Sequence, residues 1–542
     1  MSPAQVESRM VSAAADVPLA LAGCRTKASF ANLECVGGFA MRRLIAALTL
    51  AGTLFALSLS GNAASAAPAI AWHKCTKSAQ LGFECATIRV PLEYEHPQMG
   101  DIELALIRHR SSGPGRRIGT LFYEPGGPGV PGTEFLPALA YRGFPAAVRA
   151  RFDIVSWDPR GVGASTAVHC FASQPAEDQF FSGSPTRNVD GFPVGQSQMN
   201  TWIDRYRRFG EICQQRNGRL LTHVSTADTA RDLDLMRERA GERMMNFVGT
   251  SYGTIVGAVY ANMFPARVRA MVLDGVVNPI AWTRPDLEAN GGRFLSAGLR
   301  FKSDVETAKT LNSFLDLCGR TDTSHCAFSA GNPAATRQKF TKLLARLPVN
   351  LTHGQTTYAV AISGAARALY LITNWKLEAI DLQKLWEHGP SAVPPPPGRD
   401  EEQELAVGCG EVPSPPTSAF PAIGAFAQRR SGVVGPFWAW DYEPCSTWPV
   451  LSANPFRGRW DNRTASPVLV IGNTFDPATP LGGAQVMARA LARARLLTVD
   501  GYGHTALINP SACVNRYESQ YFIDGTLPPK GARCAQDGHP FS

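Results

Sequence analysis

The chain has 542 residues, 44% of them apolar and 18% charged, with a formal net charge of +8. That length can bury one large core or two ordinary ones, and the composition excludes a disordered or collagen-like chain. The positive charge is spread along the sequence with no dense Lys/Arg block and no nucleic-acid motif, so it is read as a solubility property and nucleic acid is not expected as a partner.

From Met41 the sequence runs MRRLIAALTLAGTLFALSLSGNAASAAPA, two arginines and an apolar stretch ending in Ala64-Ser65-Ala66. This is the pattern of a secretory signal peptide, residues 41–66, cleaved near Ala66/Ala67. An uncleaved anchor is the alternative, but the apolar stretch is short for a span and ends in small residues. Residues 1–40 resemble neither signal nor domain, so translation is expected to start at Met41 and the extension to be non-native. No later segment is apolar enough to cross a membrane. The expected product is secreted or periplasmic, with no stable membrane anchor after cleavage. Ten of the twelve cysteines follow the cleavage site: Cys75, Cys85, Cys170, Cys213, Cys318, Cys326, Cys409, Cys445, Cys513 and Cys534. An even number in an exported chain points to disulfides. Neighbour pairing would close five loops, although spacing does not fix connectivity. There is no C-x-x-C, H-E-x-x-H or His/Cys cluster, so neither a metal nor a cofactor is expected.

Along the mature chain, apolar strand-like runs alternate with helical ones, as in a parallel sheet with crossover helices. IELALIRHR, IGTLFYEPGG and FDIVSWDPRG read as strands, and TADTARDLDLMRERAG as a capped helix. Next come strand MNFVG, helix YGTIVGAVYANMF and strand RAMVLDGV. Residues 67–279 form the first part of an α/β core. From 280 to 460 the pattern turns helical, with Pro-rich loops, and reads as a cap inserted over the active face. The α/β pattern resumes over 461–542 with SPVLVIGN, a helix from Leu481 to Arg493, and ARLLTVDG.

In NFVGTSYGTIVG, Ser251 stands between Gly249 and Gly253 at G-x-S-x-G spacing, directly after a strand-like run. Such spacing suits a tight strand-to-helix turn that exposes a nucleophilic hydroxyl. A serine needs a base and a group that orients the base. Downstream and in the order acid then histidine, Asp476 in VLVIGNTFDPATP and His504 in LLTVDGYGHTAL each follow a strand. That order is the one found on α/β-hydrolase sheets. Asp274, after MVLDG, is the runner-up acid. For the oxyanion, one donor is expected from the backbone of Tyr252 and the other from EPGGPG, where Gly126 and Gly127 let the backbone approach a substrate carbonyl. Gly127, Gly129 and Gly132, with Asp153 further on, also fit a dinucleotide fingerprint. Pro128 and Pro131 remove amide donors that a pyrophosphate would use, and the nucleotide reading is set aside. Asp158 and Arg160 of WDPRGVGAS are read as a turn-stabilising pair rather than substrate contacts.

Taken in order, EPGGPG, WDPRGVGAS, GTSYGT, FDPATP and GYGHT resemble the secreted tripeptidyl-aminopeptidase group of α/β-hydrolases, relatives of prolyl iminopeptidases. The likeness spans nearly all of the mature chain, including a C-terminal segment of about 430–540. It implies an α/β-hydrolase fold, a mostly parallel sheet flanked by helices with a large helical cap. It also implies that Ser251 is the nucleophile, that Asp476 orients, and that His504 is base and then acid. The implied activity is release of short peptides from free N-termini. Carboxylesterases share the group and the triad, so hydrolysis of small esters is the alternative, and the substrate partner is a peptide or an ester. A cap carboxylate would pair with the substrate's α-ammonium, with Glu411 in AVGCGEVP as one candidate. Glu124 is another; relatives usually carry a neutral residue before P-G-G-P-G. Oligomeric state has no signal in the sequence.

Overall fold

The alternation of strand-forming and helical runs builds one ten-stranded sheet in the computed structural model, which describes residues 69–182, 191–350, 355–393 and 401–542. The signal peptide and the extension before it lie outside the described residues. The strands are β1 (His73–Lys74), β2 (Glu84–Pro91), β3 (Asp101–His109), β4 (Gly119–Glu124) and β5 (Phe152–Trp157), then β6 (Met245–Thr250), β7 (Val268–Asp274), β8 (Val468–Phe475), β9 (Ala494–Tyr502) and β10 (Arg533–Ala535). Their spatial order is β1-β2-β3-β5-β4-β6-β7-β8-β9-β10. The first three strands and the β3–β5 pair are antiparallel; from β5 to β10 every pairing is parallel.

Burial follows that division. In β2, Ala86, Ile88 and Val90 point inward while Thr87 and Arg89 are exposed, the alternation of a strand with one wet face. Strands β4, β5 and β6 are buried at every residue, as expected of parallel strands covered on both faces. Leu121 and Tyr123 of β4 enter one apolar cluster and Phe122 the other, so the two cores are the two faces of the sheet.

Strand β4 is followed in sequence by β5 on one side, and β6 by β7 on the other. The loops leaving β4 and β6 therefore diverge, and a crevice opens at the carboxyl ends of these strands. It lies between EPGGPG and GTSYGT.

Between β7 and β8 no strand occurs among the described residues. The chain there is helical, including Ser303–Gly319, Tyr358–Ala368 and Glu401–Cys409. These helices sit on the loops at the carboxyl ends of the strands. Ser303 and Thr307 donate to the carbonyls of Ala478 and Pro477, both at 2.6 Å, and Gln403 accepts the Gly163 N–H at 2.8 Å.

Among the described residues, five disulfides join neighbouring cysteines: Cys75–Cys85, Cys170–Cys213, Cys318–Cys326, Cys409–Cys445 and Cys513–Cys534. They mark a chain matured in an oxidising compartment. No described helix is long and apolar enough to cross a membrane, and no described group of three His, Cys, Asp or Glu residues is placed to hold a metal. The helix expected over 481–493 ends at Ala490, because Leu491 turns extended to feed β9.

Candidate active site

Ser251 leaves β6 in a left-handed backbone conformation, φ 55°, which costs a non-glycine residue about 1–2 kcal/mol. Its glycine neighbours explain how the turn is possible. A Cβ on Gly249 would lie 2.2 Å from the carbonyl oxygen of Gly253, and one on Gly253 would lie 2.4 Å from that of Glu124. Only glycine lets strand, turn and the helix Gly253–Met263 close so tightly. Ser251 itself is half-buried, and its N–H donates to the carbonyl of Asp274 at 3.1 Å.

The loops after β8 and β9 bring Asp476 and His504 together. His504 Nδ1 lies 3.0 and 2.9 Å from the two carboxylate oxygens of Asp476. Asp476 is fully buried and accepts the N–H groups of Ala478 and Thr479 and the Thr479 hydroxyl, each at 2.9 Å. These donors fix the carboxylate before it meets the ring. Buried His504 Nε2 has no hydrogen-bond partner among the described residues. With Nδ1 donating to Asp476, Nε2 carries the lone pair.

Asp274 has a different job. Its carboxylate accepts the N–H groups of Ala506 at 3.1 Å and Leu507 at 2.8 Å, just past the histidine. Its carbonyl holds Ser251, so one residue ties the serine turn to the histidine loop. Complete burial pushes its carboxyl up to about 6.

Across the crevice, Gly126 adopts φ 98° and Gly127 φ 104°. A Cβ on Gly126 would stand 2.5 Å from the Thr250 carbonyl and 2.9 Å from the Tyr252 nitrogen, so this loop lies against the serine turn. The Gly126 N–H is taken by Glu124 Oε2 at 3.1 Å. The N–H groups of Gly127 and Tyr252 donate to no carbonyl among the described residues.

Comparison with known proteins gives the fold and the family. An α/β-hydrolase fold model matches residues 120–384 and a TAP-like protein model matches 431–534. Carboxylesterase B of Mycobacterium tuberculosis is 30% identical over 498 residues, 86% of this chain and 90% of that protein. The chain belongs to the TAP-like family of α/β-hydrolases. It is a serine hydrolase of that family. Tripeptidyl aminopeptidase of Streptomyces lividans is 29% identical to it over 88% of this chain and 89% of that protein. Serine protease Hip1 of M. tuberculosis is also 29% identical, over 86% and 91%.

In this TAP-like hydrolase, the two carboxylates expected to meet an ammonium are turned inward. Glu411 is 4% exposed; Oε1 accepts the Thr226 N–H at 2.7 Å, and Oε2 accepts the Thr226 hydroxyl and, at 3.4 Å, the Trp282 indole N–H. It thereby caps the helix Thr226–Arg239. The Thr226 hydroxyl lies 2.8 Å from the Tyr252 phenol, so Glu411 supports the residue after Ser251 from behind. Burial raises its carboxyl above the usual range. Glu124 is 1% exposed and folded back on its own loop. Asp158 and Arg160 do not pair with each other. Asp158 holds Thr133 and Ala164, and Arg160 makes a bidentate pair with Asp232 at 2.7 Å, because each lies against a different neighbouring element.

Sequence reasoning missed several residues of the site in the TAP-like hydrolase. Thr479 also lies 3.1 Å from His504 Nδ1, and its position three residues after Asp476 in FDPATP was a legible signal. Tyr370 was not legible: it accepts the His504 N–H at 2.8 Å and packs its ring edgewise on the imidazole from far away in sequence. Glu404 and Asp441 line a small cavity beside Pro128 of the glycine loop. Burial and the neighbouring Glu404 push Asp441 up to about 7.

Proposed function

We propose that the protein is an exported serine aminopeptidase that releases short peptides, tripeptides by likeness to its relatives, from free N-termini. Ser251 attacks the scissile carbonyl while His504 Nε2 takes its proton. The N–H groups of Gly127 and Tyr252 stabilise the resulting oxyanion. His504 then returns the proton to the leaving amine, and a water repeats the sequence to release the acyl group. Asp476 orients the ring and stabilises the imidazolium. The observation that carries this reading is the Asp476–His504 pair with Nε2 left without a partner, together with a serine held in a left-handed turn at the end of β6.

The helices between β7 and β8 act as a cap that admits a chain end. An ammonium under a cap is costly unless a carboxylate meets it. Glu404 and Asp441 line the cavity beside Pro128 and are partly exposed, whereas Glu411 and Glu124 are buried, so the first two are better placed for this. Named activities among the relatives divide between tripeptidyl aminopeptidase and carboxylesterase, so small-ester hydrolysis is the second reading.

Matched peptides with free and acetylated N-termini, and small neutral esters, separate the two. Acetylation should lower kcat/KM by about tenfold to a hundredfold, the scale of one buried charge-assisted contact. Glu404→Gln or Asp441→Asn should cause a similar loss on the free peptide and little on the acetylated one. Equal cleavage of free and blocked peptides, or turnover of esters alone, would replace the aminopeptidase with a carboxylesterase.

A further inference from the structure

Glu124 is a buried acid that the reaction as described does not use. It ends β4, directly before the glycine loop, and its own carbonyl packs against Gly253 at the start of the helix behind Ser251. Its Oε2 accepts the Gly126 N–H, while Oε1 is buried with no partner among the described residues. Gly126 is held on its other side too, because its carbonyl accepts the Val130 N–H at 3.2 Å. That carbonyl and the Gly127 N–H belong to one rigid peptide plane. Fixing Gly126 at both ends therefore fixes the direction in which the Gly127 N–H points.

We propose that Glu124 is a positioning residue that works as a neutral carboxylic acid, aiming the Gly127 N–H through Gly126, and that loss of its proton to solvent slows attack by Ser251. The proposal rests on the reading of Ser251, Gly127 and Tyr252 as the reaction centre.

The surroundings favour the neutral acid. Desolvation and the Asp158 carboxylate, at the end of β5, outweigh the Gly126 hydrogen bond and hold the group up at about 8. The other titratable groups facing it are the phenols of Tyr123, on its own strand, and Tyr252, on the serine turn. Burial raises both far above the ordinary tyrosine range, so they stay neutral where Glu124 ionises. Behind Tyr252 lies Glu411, already engaged by Thr226. Once ionised, Glu124 places a negative charge in a poorly screened site, close to where the substrate oxygen becomes negative. The sign is therefore fixed: rates fall as pH rises through the Glu124 range.

The test is the rate of Ser251 labelling by an uncharged alkyl fluorophosphonate from pH 5.5 to 10. This probe needs neither a peptide nor an ester preference, and it has no ammonium whose own titration would mimic the effect. The wild-type rate should rise to a plateau and then fall about tenfold or more, with a midpoint near pH 8. Glu124→Gln, a neutral isostere, should label several-fold more slowly on the plateau yet hold its rate to pH 10. A wild-type rate with no alkaline fall overturns the proposal whether or not the variant folds. An unchanged fall in Glu124→Gln overturns it equally. No labelling at any pH would instead strike the Ser251 reading itself.

Discussion

Strands β7 and β8 each carry an aspartate at the carboxyl end, Asp274 closing β7 and Asp476 directly after β8, and the two residues do different work. Asp476 spends one side of its carboxylate on the Ala478 and Thr479 amides and offers the rest to the His504 ring. Asp274 spends both oxygens on the amides of Ala506 and Leu507 and reaches no imidazole nitrogen. One acts on the histidine side chain, the other on the histidine's backbone. A strand end thus places a carboxylate at the crevice, and the loop that passes in front of it decides its role.

The largest effects should come from the residues both aspartates serve. Ser251→Ala and His504→Ala should each lower kcat by at least roughly ten-thousandfold with the fold intact, measured against active-site-independent refolding controls. Asp476→Asn comes next, at about a thousandfold to ten-thousandfold, because an amide stabilises neither the right tautomer nor the imidazolium. Asp274→Asn should lower kcat only about tenfold through misplacement of the histidine loop. A larger loss for Asp274→Asn than for Asp476→Asn would reverse the assignment of the two.

The two aspartates are also separable by stability. Asp274 is held at about 6 in the folded protein, above the ordinary aspartate value of about 3.9. A raised acid stabilises the fold while both states are protonated, below about pH 4. That contribution is lost as pH rises to about 6, by about 3 kcal/mol over two pKa units. Thermal unfolding should show Asp274→Asn gaining on wild type between pH 4 and 6. A constant difference across that window would mean that Asp274 is not a buried acid.

The smallest effect should be that of Glu411→Gln, about twofold to fivefold in kcat, since it supports Tyr252 only through Thr226. The loss should be equal for free and acetylated peptides. A loss confined to free peptides would return Glu411 to the ammonium site.

These contrasts also show what the sequence could carry. Both buried strands and the glycine turn at Ser251 were legible because their demands are local: continuous apolar runs, and glycines where a Cβ has no room. The choice between Asp274 and Asp476 was only ranked, since each follows a strand and the deciding partner lies far along the chain. Glu411 is read from the sequence as a candidate for the substrate's ammonium because the Thr226 helix end it caps is distant along the chain. Strand β2, paired between β1 and β3, was not singled out, although the alternation of Ala86, Ile88 and Val90 with Thr87 and Arg89 was a legible signal. Tyr370 left no local trace for the same reason.

The central claim is that Ser251, driven by His504 on Asp476, is the nucleophile. The most direct test is to react the protein with a fluorophosphonate at neutral pH and map the adduct by peptide mass spectrometry. A single adduct on Ser251, forming in step with loss of hydrolysis and absent in His504→Ala, is the predicted result. An adduct on another residue, or full inactivation with Ser251 unmodified, would contradict it.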